Sequence, residues 1–149
     1  PAADAVGLAL GLQLPLEPNT VVRAGESTVL WLGPDEWLLV APPGTQRDLE
    51  SRIREAAGEE FVSVTDVSAQ RTTLLVAGPG ARDLLSHGCA LDLHPRVFAP
   101  GRCAQTTLGR TQVVLVARDE PGSGFWVLVR SSFAGYLTDW ILDAATEYM

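Results

Sequence analysis

Four side chains that could ligate a metal lie between positions 87 and 103: His87, Cys89, His94 and Cys103. Imidazole and thiolate donors suit zinc. Their spacing matches no common structural zinc pattern, however, and both histidines stand beside turn formers, Gly88 and Pro95. A small buried thiol and two loop histidines are the ordinary account of such residues. A metal-sensing module built on Cys89 and Cys103 stays as an alternative. Nucleophilic catalysis finds less support. His87 is two residues from Cys89, so on a helix the two would point apart. No Gly-x-Ser-x-Gly elbow occurs. The expectation is no catalytic residue and no metal ligand on this chain.

Asp66 and Arg71 are the charged residues that invite a ligand. Asp66 falls in the apolar run Val64-Thr65-Asp66-Val67, read as part of a strand, where a charge is costly unless paired. Arg71 lies just across the following turn, and a hairpin register would pair the two as a structural ion pair. The functional alternative sets Asp66 or Arg71 at a ligand cleft, as weak candidates for a vestigial pocket. Gly78-Pro79-Gly80 before a helix could take an anion, but the helix is short and Gly-x-Gly-x-x-Gly is absent. Trp31, Trp37, Trp126 and Trp140 read as core or subunit-contact residues.

Composition removes several classes. The 149 residues carry a net charge of −7, and all eleven basic residues are Arg. Without Lys there is no Schiff base, no pyridoxal-phosphate attachment and no P-loop lysine. An acidic chain without a basic run is a poor match for nucleic acid or an anionic membrane surface. Two cysteines cannot make a disulfide framework. Pro1 to Leu16 lacks the basic region of a signal peptide, and no apolar run reaches the ~20 residues that span a bilayer. The expected compartment is the cytoplasm.

The elements that must position these residues follow from periodicity. A short helix is expected over Ala5–Leu14, weakened by Gly7 and Gly11 and stopped by Pro15. Period-two runs predict strands at Thr20–Ala24, Thr28–Leu32 and Glu36–Ala41. Thr45 and Asp48 open a helix, with Leu49, Ile53, Ala56 and Ala57 on one face, that Gly58 ends. Phe61–Val67 and Thr72–Ala77 read as paired strands across a Ser68-Ala69-Gln70 turn, followed by a short helix through Leu84 and Leu85. After a loop-rich stretch, His87 to Gly101, come strands at Arg102–Thr107, Thr111–Ala117 and Gly124–Arg130, the last two joined through Asp119-Glu120-Pro121-Gly122. Ser132 is expected to cap a helix whose apolar face is Phe133, Leu137, Trp140, Ile141 and Ala144. Thr28-Val-Leu-Trp-Leu, a turn, Trp37-Leu-Leu-Val and a helix are echoed by Thr111-Gln-Val-Val-Leu-Val, a turn, Trp126-Val-Leu-Val and a helix. The fold class is α+β: antiparallel sheets with packed helices, in one domain over 1–149, with pseudo-repeated strand-strand-helix units at 20–57 and 101–146 around 61–87.

Val64-Thr-Asp-Val-Ser68, Leu74-Leu-Val-Ala-Gly-Pro79 and Ala81-Arg-Asp-Leu-Leu85 resemble the strand–strand–helix opening of the aminomethyltransferase family, whose members share a folate-binding fold. A broader resemblance, from about Thr28 to Ala144, is to the gamma subunits of heterotetrameric sarcosine oxidases. It rests on Gly33-Pro-Asp-Glu-Trp-Leu-Leu39, His87-Gly-Cys-Ala-Leu-Asp-Leu-His-Pro95, Phe98, Gly101, Ala104-Gln-Thr106, Leu108-Gly109 and Trp140-Ile141.

That resemblance implies a small subunit, without a reaction of its own, in an assembly that oxidatively demethylates sarcosine to glycine and passes the one-carbon unit to tetrahydrofolate. It assigns FAD, FMN, NAD, tetrahydrofolate and zinc to the other subunits, and names alpha, beta and delta subunits as partners. Isolated, such a chain would tend to self-associate through its exposed interface. In aminomethyltransferases an essential aspartate follows a Gly-Gly turn, whereas the matching stretch here, Leu108-Gly-Arg-Thr-Gln-Val113, has no carboxylate. One-carbon transfer thereby loses its chief acid–base group. The rival expectation is a free-standing folate-binding or one-carbon-transfer protein, with Asp66 and Arg71 near a pteridine pocket.

Overall fold

The structure is a computed structural model, and it describes residues 1–118 and 124–149. The turn expected at Asp119-Glu120-Pro121-Gly122 lies outside the described residues. The chain divides into two compact units, Pro1–Val67 and Ser68–Met149.

The first unit opens with helix α1, Ala2–Leu10, ended by Gly11 in the left-handed conformation with φ 72°. The helix starts and stops earlier than its apolar run suggests because the chain wraps back at Gly7. Its carbonyl accepts the Leu12 N–H at 2.9 Å, and a Cβ at Gly7 would sit 2.6 Å from the Leu12 oxygen. Glycine is the only residue that allows this return. Strands β1 (Val21–Ala24), β2 (Ser27–Gly33) and β3 (Glu36–Val40) form an antiparallel sheet in that order. Helix α2, Gln46–Ala57, follows. Thr45 stands at its N-cap without capping through its side chain. The hydroxyl instead donates to the Pro42 carbonyl at 2.6 Å, closing the preceding turn. Val6, Leu14 and Val29 form the buried cluster, with Trp37, Leu39, Ile53 and Ala56 packed on it. The Trp37 indole N–H donates to the Pro15 carbonyl at 2.7 Å.

Phe61–Val67 is not a strand. The strand expected to pair with it, β4 (Arg71–Ala77), pairs with β7 (Gly124–Arg130). Among the described residues the run has no ladder partner; its Val64 carbonyl accepts instead from the Arg54 guanidinium at 3.0 Å, and Phe61 is fully exposed.

The second unit is a four-stranded antiparallel sheet, ordered β4-β7-β6-β5, with β5 at Cys103–Leu108 and β6 at Thr111–Ala117. On one face Leu74, Val76, Leu115, Phe125, Val127 and Val129 meet α3 (Ala81–Ser86) and α4 (Ala134–Ala145). Leu85 and Leu137 are wholly buried there. Ser132 caps no helix: Ser131–Phe133 is a 3₁₀ turn leading into α4. The Ser131 hydroxyl donates to the Ala69 carbonyl at 3.0 Å. Phe133, ahead of the regular helix, is therefore 44% exposed instead of lying on the apolar face. The α+β class with antiparallel sheets is as expected.

Candidate functional site

The four residues that could have held zinc have separate employments. The His87 Nε2 shares a 2.8 Å hydrogen bond with the Tyr148 hydroxyl. The Cys89 Sγ lies 3.8 Å from the Thr106 hydroxyl. His94 Nδ1 accepts the Arg96 N–H at 3.2 Å. Cys103 is 1% exposed in β5, opposite Val116, on the sheet face away from α3 and α4. Among the described residues no three His, Cys, Asp or Glu side chains gather as a metal site. Cys89 and Cys103 form no disulfide.

The motif around them is built by its backbone. Gly88 has no room for a side chain: a Cβ would lie 2.5 Å from the Trp140 ring. Its carbonyl accepts the Gly109 N–H at 3.0 Å, tying the loop to the β5–β6 turn. At that turn the Tyr136 hydroxyl accepts the Arg110 N–H at 3.1 Å. Asp92 Oδ1 accepts the His94 N–H at 2.9 Å, and the His94 carbonyl takes the Val97 and Phe98 N–H groups. Leu93 and Phe98 are thereby set into the core.

Arg82 holds this loop from α3, a role sequence reasoning missed. Its Nη1 donates to the carbonyls of Leu93 at 2.5 Å and Phe98 at 2.9 Å, and its guanidinium lies 5.0 Å over the Phe125 ring. The one signal was an arginine among the apolar residues of a short helix. Tyr148, which packs on Gly80, has its phenol held above the ordinary tyrosine range. Desolvation leads, and repulsion by the Asp83 and Glu147 carboxylates adds to it.

The two charged candidates fare differently. Asp66 is exposed near the end of the first unit, outside any strand. The hairpin that would have set it against Arg71 does not form: Phe61–Val67 is not a strand, and β4, at the edge of its sheet, has β7 as its ladder partner. Arg71 begins the second unit, half-buried at the start of β4. It faces a hollow of about 280 Å³ with Gln105, Thr107, Gln112 and Arg130. Arg130 stands opposite Arg71 in the ladder, a placement that the register fixes and no local sequence pattern shows. In the first unit a hollow of about 290 Å³ touches Asp48 and Arg52, whose charges already pair at 3.6 Å.

A family model described as the sarcosine oxidase gamma subunit family matches residues 1–147. The chain belongs to that family. It is 41% identical over 145 residues to a sarcosine oxidase subunit gamma from Arthrobacter sp., covering 97% of this chain and 70% of the relative. A sarcosine oxidase subunit gamma from Corynebacterium sp. strain P-1 is 38% identical over the same shares. Among solved structures, a chain of the heterotetrameric sarcosine oxidase from Corynebacterium sp. U-96 superposes with a TM-score of 0.87 at 35% identity. The match covers 99% of this chain and 74% of that one. For this gamma-family member, the motif His87-Gly-Cys-Ala-Leu-Asp-Leu-His-Pro95 is thus a loop-building device in which Asp92 and His94 serve the backbone, while His87 and Cys89 meet the Tyr148 and Thr106 hydroxyls.

Proposed function

We propose that this chain is a non-catalytic structural subunit of a heterotetrameric sarcosine oxidase, which oxidatively demethylates sarcosine to glycine and passes the one-carbon unit to tetrahydrofolate. The observation that carries the reading is the near-complete superposition on a chain of such an assembly. The use of Asp92, His94 and Arg82 in fixing a loop supports it, as does the lack of a carboxylate in the β5–β6 turn. In this reading the alpha, beta and delta subunits are the partners, and FAD, FMN, NAD, tetrahydrofolate and zinc are held by them. The folate-binding-like fold is kept as a scaffold that buries apolar surface against the larger chains. Phe61 at 102%, Leu8 at 85% and Leu142 at 61% exposure are the side chains best placed to be covered. The assembly works in one-carbon metabolism in the cytoplasm. No helix among the described residues is long and apolar enough to cross a membrane.

Recovery of the tagged protein from its native cells, grown on sarcosine, tests this. The expected eluate is yellow with flavin absorbance and contains larger partners by mass. A colourless, lone chain overturns the assignment. Saturable quenching of its tryptophans by tetrahydrofolate would then support the free-standing folate-binding alternative.

A further inference from the structure

Two arginines face one another across the β4–β7 ladder. The register sets Arg71 directly opposite Arg130, an arrangement that destabilises a sheet when the charges are alike. Among the described residues none that lines the hollow is a carboxylate. Neither Arg71 nor Arg130 forms a salt bridge among the described residues. One Arg71 nitrogen, Nη1, is buried without a hydrogen-bond partner among the described residues. A buried, charged donor left unmade is among the costlier defects a fold can carry. It is the more pointed in a chain whose net charge is −7, where acids to pair with are plentiful.

The rest of the hollow is suited to a ligand. Gln105, Gln112 and Thr107 bring amide and hydroxyl groups to its rim, while Val114 and Leu128, at 3% and 4% exposure, supply an apolar floor. The alternation of the strands places all of these on the sheet face opposite α3 and α4. Paired guanidinium forks match the two oxygens of a carboxylate, and the floor accepts the carbon skeleton that bears it. We propose that this hollow is a binding site for a carboxylate group, held by Arg71 and Arg130, a function that does not rest on the subunit assignment. The group reaches it either on a small free acid or on an acidic side chain of a partner subunit.

Calorimetric titration of the full chain with succinate at constant ionic strength tests the site, with succinamide and inorganic phosphate as controls. Succinate is expected to bind saturably and raise the melting temperature, and succinamide to do neither. Arg71→Gln and Arg130→Gln should each weaken binding about tenfold or more, as loss of a charge-assisted hydrogen bond implies. Arg47→Gln, in the first unit, should leave it unchanged. The two hollow variants relieve like-charge repulsion, so without succinate they should melt no lower than the parent. A failure of either to fold is bypassed by Arg71→Lys, which keeps the charge and loses the fork and should bind with intermediate strength. Heat that tracks ionic strength alone, equal binding of phosphate, or variants that bind as the parent does would overturn the proposal. Repeating the titration on the assembled complex names the source. Retained binding assigns a free acid. Loss of binding assigns a partner's side chain, with the site itself upheld by the isolated chain.

Discussion

The two regions β1–β3 with α2 and β5–β7 with α4 have the same order of elements and bury their side chains to different depths. In β6 every residue except Gln112 is buried, whereas in β3 Glu36 is exposed and the rest are only half-buried. The helices differ in the same sense. Helix α4 lays Leu137, Trp140, Ile141 and Ala144 on its core, with Leu137 wholly buried. Helix α2 offers Ile53 and two alanines, and only Ala57 is buried. A helix stripe of larger apolar side chains over a sheet with a fourth strand buries more area, and stabilisation follows area at ~25 cal/mol per Å². The same local pattern thus yields a deep core in one region and a thin one in the other.

The largest effect that could break this comparison is a truncation in each core. Leu137→Ala should cost about 3–5 kcal/mol in denaturant unfolding of the second unit, against about 2 kcal/mol for Ile53→Ala in the first. Equal costs would show that depth of burial does not separate the regions. A smaller effect tests the loop between α3 and β5, for which the first region has no counterpart. Arg82→Met keeps much of the side chain's bulk but removes the donors to Leu93 and Phe98. A loss of about 2–3 kcal/mol is expected, with faster amide exchange through residues 91–98. Unchanged exchange would mean that Arg82 does not hold the loop.

The smallest effect concerns the tie that follows α4, where Tyr148 meets His87. Because the phenol's affinity for its proton is raised in the folded chain, the folded state binds more protons than the unfolded one above the ordinary tyrosine pKa of about 10. Stability therefore falls as pH rises through that range. Tyr148→Phe should flatten the alkaline decline in melting temperature while lowering stability slightly at neutral pH. A decline as steep as the parent's would assign it to other groups.

The echo between the regions shows where reading the sequence stops. Matching Trp37 with Trp126 and Thr28 with Thr111 follows the written order of residues. In the ladders Thr28 stands opposite Val40, while the residue opposite Val129 is Val113. With the tryptophans matched, Thr28 thus corresponds to Val113, two positions from Thr111. The hairpin connections differ in length, and only pairing fixes register. Phe61–Val67 is not a strand for a related reason: its alternation is genuine, but alternation does not by itself supply a ladder partner, and β4 pairs only with β7 among the described strands.

Composition, periodicity and glycine placement determined the fold class, most element positions and the absence of lysine chemistry, because backbone propensity and apolar period are local properties of a chain. The stretch from His87 to Pro95 was legible as a family signature, but the work its residues do was not. Tertiary structure decided that Gly88 lies against Trp140, that Arg82 reaches two carbonyls of the following loop, and that Arg71 faces Arg130 across a ladder. Each of these joins positions at least eleven residues apart. Their meeting depends on strand order and register, which are settled by the burial of the whole sheet and not by any short segment.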